Sequence, residues 1–177
     1  MNVLAGPATA AAVLLVVGGA SKVVRPGNTT RALVALRLPG GPAAVRLLAT
    51  AEIGIGVAAV ASGGRLAWSL VAASYLGFAG FVLLAMSREG AASSCGCFGA
   101  PGTPPTAAHV LITLAASGVA FATALGPQPG PLLDTLRDQP IMGLPFVVLT
   151  GCCVWFAYAA LAVLPRTTQY VARGRRG

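Results

Sequence analysis

Long uncharged apolar runs divide this chain, and they limit its fold more than any other feature. Val3 to Ser21, Leu66 to Ser87 and Ile141 to Leu164 contain no Asp, Glu, Lys or Arg. Leu47 to Gly64 is broken only by Glu52, and Ala107 to Gly126 only by His109. Each run approaches or exceeds the roughly 20 residues that a helix needs to cross a bilayer. In lipid the backbone must satisfy its own polar groups, so only helices and closed barrels span. These runs lack the period-two alternation of barrel strands, which leaves helices. Five membrane helices are predicted, at about 3–24, 43–62, 66–86, 107–126 and 141–164. Ser62-Gly63-Gly64-Arg65 leaves room only for a tight antiparallel hairpin between the second and third.

Composition supports the same solvent. Only 9% of the residues are charged, against about 25% in an ordinary soluble domain. The mean hydropathy is +0.80. A soluble globule of this size could not cover its surface with so few polar groups. Five spans and their loops use up the 177 residues, so 1–177 is expected to form a single membrane domain. The fold class is all-α, a polytopic membrane helical bundle in contact with the lipid bilayer. Gly18-Gly19-Ala20 mildly resembles a signal cleavage site, but no Lys or Arg precedes it. The positive n-region of a secretory signal is therefore missing, and the first span is expected to remain a membrane helix.

The net charge of +8 comes from basic residues set between the apolar runs. They are not interleaved with surface aromatics, so orientation and anionic-lipid contact explain them, with no nucleic-acid role. One side of the membrane would hold Lys22, Arg25, Arg31, Arg37, Arg46, Arg88, Arg166, Arg173, Arg175 and Arg176. The other would hold Arg65 and Arg137. The positive-inside rule then gives a multi-pass protein of the cell membrane with a cytoplasmic C-terminus. By helix parity the Ser87–Thr106 loop lies on the cytoplasmic side too.

The sharpest chemical feature is Cys95-Gly96-Cys97, in that loop. Residues i and i+2 lie at most about 7 Å apart, given 3.8 Å between successive Cα atoms. A disulfide spans about 4.4–6.8 Å between Cα atoms, and Gly96 supplies the dihedrals a bent Cys-Gly-Cys needs. Such a small ring is strained, and strained disulfides exchange readily. The competing readings are capture of a soft ion such as Cu(I) and free thiols without chemistry. A structural zinc site wants four ligands, and only His109 is near in sequence, so no metal is assigned.

Cys152-Cys153 falls in the fifth run. Neighbours on a helix point about 100° apart, so the two are poorly placed to bond each other. Small apolar fillers are the plain reading, and an electron relay from the loop pair is the functional one. Glu52 is the lone carboxylate inside an apolar run, where an ionisable group is costly and marks function by default. Its candidate partners are Lys22 and Arg46. Glu52 is expected to be either a paired or protonated framework residue, or a proton-transfer or quinone-facing one. His109, in the first turn of the fourth span, is an interfacial residue, a base that activates a thiol, or a group that bonds a quinone oxygen. Trp68, Trp155 and the tyrosines fit interface or packing roles. Gly54, Gly56, Gly77 and Gly80 suit close helix packing.

Gly18-Gly19-Ala20-Ser21-Lys22, Arg25-Pro26, Leu38-Pro39, Ala51-Glu52-Ile53-Gly54 and Cys95-Gly96-Cys97-Phe98-Gly99 occur in this order. From about residue 10 to 126 the chain resembles the MauE family of methylamine-utilisation membrane proteins and, more distantly, DoxX-like membrane proteins. The resemblance implies a four-helix DoxX-like core, here with a fifth C-terminal transmembrane helix. It implies support for maturation of a disulfide-rich client, the small subunit of methylamine dehydrogenase in the namesake family, beside a thioredoxin-like redox partner. By position, Cys95 and Cys97 become the redox pair, and Lys22 and Glu52 framework polar residues. The expected activity is that of a membrane thiol–disulfide oxidoreductase, with a quinone as the candidate cofactor near Glu52 and His109. Disulfides form outside the cytoplasm. A cytoplasmic Cys95–Cys97 pair would therefore have to pass electrons across the membrane. The alternatives are a carrier or a non-catalytic assembly factor, in which Glu52 is the key polar residue and the cysteines hold metal or are structural.

Overall fold

The computed structural model describes residues 4–88, 106–127, 129–132, 147–156 and 159. Every regular element among them is a helix. These are α1 (Ala5–Val24), α2 (Pro26–Ala35), α3 (Pro42–Ser62), α4 (Arg65–Ser87) and α5 (Ala107–Leu125), followed by a shorter apolar α6 (Val147–Phe156). Four of them (α1, α3, α4 and α5) are long and apolar enough to cross a membrane. They coincide with the first four predicted spans to within about two residues, which is the ordinary latitude of helix ends. α6 falls inside the predicted 141–164 span. The rest of that span lies outside the described residues.

Local signals set the breaks. Pro26 disfavours helical geometry at the residue before it, and Arg25 leaves the helix with φ −131° and ψ 67°, ending α1. Pro26 and Pro42 then open α2 and α3 at positions where the missing N–H costs nothing. Gly63 closes α3 in the left-handed region, φ 65°, and its N–H bonds Ala59 O at 3.0 Å. The expected hairpin is therefore present, two residues long.

α2 fills the gap between the predicted spans 3–24 and 43–62, where no apolar run predicts an element. The ten residues of α2 are too few to span and too polar to sit in lipid. They form a short helix between α1 and α3, ended by paired bonds from Arg37 N to Val34 O and from Leu38 N to Leu33 O.

The bundle is built from two close helix pairs, α1 with α3 and α4 with α5. Gly19 and Gly56 explain the first. A Cβ on Gly19 would stand 2.7 Å from Ala49 O, and one on Gly56 would stand 2.7 Å from Ala12 O. Only hydrogen fits there, so the backbones approach closely. Gly54, Gly77 and Gly80 do not share this role. A Cβ at any of them meets nothing within 4 Å, which corrects the packing role expected for these three. Trp68, Val71 and Tyr75 of α4 pack with Ala8, Ala12 and Leu15 of α1 in the core.

Polar groups tie the helices together where no water competes. Tyr75 donates its hydroxyl to Ala11 O at 2.7 Å, and Ser117 donates to Ala72 O at 2.9 Å. Both bonds join different helices, as polar side chains in membrane bundles do. Trp68 is a packing residue rather than an interfacial one, and among the described residues its buried Nε1 has no hydrogen-bond partner. Trp155 is exposed on α6.

Candidate functional site

Glu52 is the eleventh of the 21 residues of α3. At about 1.5 Å per residue, ten residues lie on either side of it over roughly 15 Å. A carboxylate at that depth needs a partner, and it has one. Lys22 Nζ donates to Glu52 Oε1 at 2.8 Å and to Oε2 at 2.7 Å. Both side chains are almost wholly buried, 5% and 2% exposed.

Lys22 comes from the last turn of α1, nearly at the helix end. Side chains on a helix tilt toward its N-terminus, and this tilt carries the ammonium down into the bundle. The glycine contacts of α1 with α3 bring the two stems close enough to meet. Arg46, the other partner considered, lies exposed on α3. Its position, six residues before Glu52, puts it on a different face.

An aromatic wall completes the pair. Lys22 Nζ sits 4.1 Å from the centroid of the Phe78 ring, a cation–π contact that strengthens where water is excluded. Phe78 meets the Tyr75 ring edge-on at 5.9 Å. Nothing in the sequence singles out Phe78 from the other apolar residues of α4. Only the crossing of α1, α3 and α4 gives it this role.

The pair forms the inner end of a cavity of about 560 Å³. The seam between α3 and α4 is looser than either close pair, and the cavity opens along it. Val45, Leu48 and Ile55 line one side, and Leu70, Gly77 and Phe81 the other. Thr29 and Leu33 of α2 border it as well, so the unforeseen helix helps to form the site. Among the described residues the walls are apolar apart from a few groups, of which the ion pair is the only charged one. The volume falls in the range of small-molecule sites, roughly 300–1,000 Å³.

His109 stands apart from this cavity. It is buried in the first turn of α5, with Nδ1 2.8 Å from Thr106 Oγ1. It lines a small void of about 40 Å³ on the other side of Lys22, beside Tyr75 and Phe78. Lys22 borders both spaces. The structure therefore brings Lys22 and Glu52 into contact, and it sets His109 on a different wall from Glu52.

Cys152 and Cys153 are free thiols, both exposed on α6. Cys95 and Cys97 lie outside the described residues. Their flanks are described. α4 ends at Ser87, and Arg88 Nη1 donates to Leu36 O at the end of α2, at 2.7 Å. α5 begins beside Thr106 and His109. The described residues on either side of the pair, Arg88 and Thr106, thus both stand at the end of the bundle where α1 stops and α2 lies.

The family described as Methylamine utilisation protein MauE matches residues 2–127. This chain belongs to the MauE family. The match covers α1 to α5 and includes Lys22, Glu52, Cys95, Cys97 and His109, and α6 lies beyond it. Searches of the curated proteins and of the solved structures returned no match. With four helices long and apolar enough to span, this MauE-family chain is a multi-pass membrane protein.

Proposed function

We propose that this MauE-family protein is a membrane thiol–disulfide protein that supports maturation of a disulfide-containing client outside the cytoplasm. Cys95 and Cys97 alternate between dithiol and disulfide. A thiol of a thioredoxin-like partner attacks the Cys95–Cys97 disulfide. The partner leaves with its own S–S bond, ready to oxidise the client, and Cys95 and Cys97 are left as two thiols. A membrane quinone takes two electrons and two protons from that dithiol, which closes the Cys95–Cys97 bond again. In the namesake family the client is the small subunit of methylamine dehydrogenase, and this chain is assigned a client of the same chemistry.

One observation supports the reading best. The residues that flank the Cys95-Gly96-Cys97 segment, Arg88 and Thr106, are anchored at the same end of the bundle as α2, whose Thr29 and Leu33 border the Lys22–Glu52 cavity. A short Cys-Gly-Cys pair suits exchange rather than stapling. The excess of arginines on one side supports a cell-membrane protein with its C-terminal tail in the cytoplasm; the Cys95–Cys97 pair then shares that side, and electrons cross the membrane between it and the client.

The test is a Cys95→Ala/Cys97→Ala variant in cells that express the client. Client disulfide formation should fall to the rate seen without the protein. An unchanged rate would remove the proposal. The mid-depth ion pair beside a cavity favours a second reading, a carrier with Glu52 as the coupling carboxylate. Transport into liposomes that depends on Glu52 and ignores Cys95 would select it.

A further inference from the structure

We propose that the cavity between α3 and α4 is a quinone site, with the quinone ring against the Lys22–Glu52 pair and its tail leaving along the seam toward lipid. The inference rests on the thiol–disulfide reading for its redox purpose, but the site itself stands on the described residues alone.

Three observations select this ligand class. The cavity is apolar along most of its length and is bordered by Leu48 and Leu70, which are 55% and 42% exposed on the outer surface of the bundle. A ligand reaching it through that opening comes from the bilayer. The inner end is polar and complementary to a carbonyl. An ammonium has three N–H donors, and two of those on Lys22 go to Glu52. The third can donate to a quinone oxygen. The carboxylate keeps lone pairs that can accept from a quinol hydroxyl, so both redox forms find a partner. A plain acyl chain would leave these groups bare. Phe78 and Phe81 also lie on the cavity wall, where an aromatic head can pack on their rings.

The redox balance fits the same ligand. Closing the Cys95–Cys97 disulfide releases two electrons and two protons. A quinone takes up both, one proton on each oxygen, and departs as the quinol. The ring lies on the Glu52 side of Lys22, away from His109, which distinguishes this site from a Glu52–His109 one.

Gly77 supplies the test. It lines the cavity, and a Cβ there meets nothing within 4 Å. Gly77→Leu therefore fills the space without a clash from its first added carbon. Gly80, one turn on, does not line the cavity, and its Cβ position is equally open. Full-length protein in phosphatidylcholine nanodiscs is photolabelled with an azido-ubiquinone analogue, with decylubiquinone as competitor. Labelling should saturate and map to α3 and α4 peptides. Gly77→Leu, and Ala73→Leu as a second filling variant, should weaken it about tenfold or more, and Gly80→Leu should leave it unchanged. Decylbenzene, which lacks the carbonyls, should compete about tenfold more weakly than decylubiquinone. Equal competition by decylbenzene would make the cavity a generic acyl groove and overturn the proposal. So would labelling that never saturates or that ignores both filling variants. A Cys95→Ser/Cys97→Ser variant should label like the wild type. The binding result is thus independent of whether the cysteines mature a client.

Discussion

Lys22 and Glu52 each hold a charge that hydrocarbon does not solvate, and each is tolerable only because of the other. Desolvating two ions costs several kcal/mol apiece, which a well-placed pair roughly offsets. Removing one partner leaves the other charge buried and alone. Lys22→Met or Glu52→Leu should therefore destabilise the bundle by about 3–5 kcal/mol. The double variant should recover most of that loss. Urea or thermal unfolding in detergent reads both, and single variants as stable as the wild type would show that the pair is not closed in the membrane. Glu52 was legible in the sequence as the one carboxylate in an apolar run. Its choice of Lys22 over Arg46 was only half legible. Lys22 looks superficial at the end of its helix, and only the backward tilt of its side chain and the close α1–α3 approach bring it to depth.

At the scale of elements, glycines that look alike in sequence divide by what faces them. Gly56 meets Ala12 O and Val16 of α1, whereas Gly54, two residues away, meets nothing. Overpacking a tight contact costs about 1–3 kcal/mol, so Gly56→Val should lose about that much stability and loosen α1 from α3. Gly54→Ala should be neutral or stabilising, since Ala is the better helix former. The same unfolding assay compares them, and equal effects would contradict the α1–α3 register. α2 shows the opposite limit of legibility. Its proline start is plain in sequence, but ten polar-leaning residues give no apolar signal of the kind that marks a span.

For the whole molecule, the uneven spread of basic residues is the basis of the proposed orientation. Lys22 drops out of the surface tally because it is buried, but the remaining arginines keep the same bias. Cysteine introduced at Ser62, the exposed end of α3, in a chain whose own cysteines are Ser, should react with an impermeant maleimide in intact cells. The native Cys95 and Cys97 should react only after the membrane is opened and the thiols are reduced. The reverse pattern would put the Cys-Gly-Cys segment outside, where client disulfides form directly.

The sequence by itself determined the four long helices, their order and the hairpin at Gly63. Those features follow from local properties: the length of an apolar run, a proline at a helix start, a glycine at a helix end. It also marked Lys22, Glu52, His109 and the paired cysteines as the residues on which chemistry could rest. The tertiary structure alone decided which of them meet. The ion pair, the Phe78 wall and the cavity along the α3–α4 seam all depend on how closely helices distant in sequence pack. That closeness is set by which glycine faces which backbone, and the order of residues along one chain does not record it.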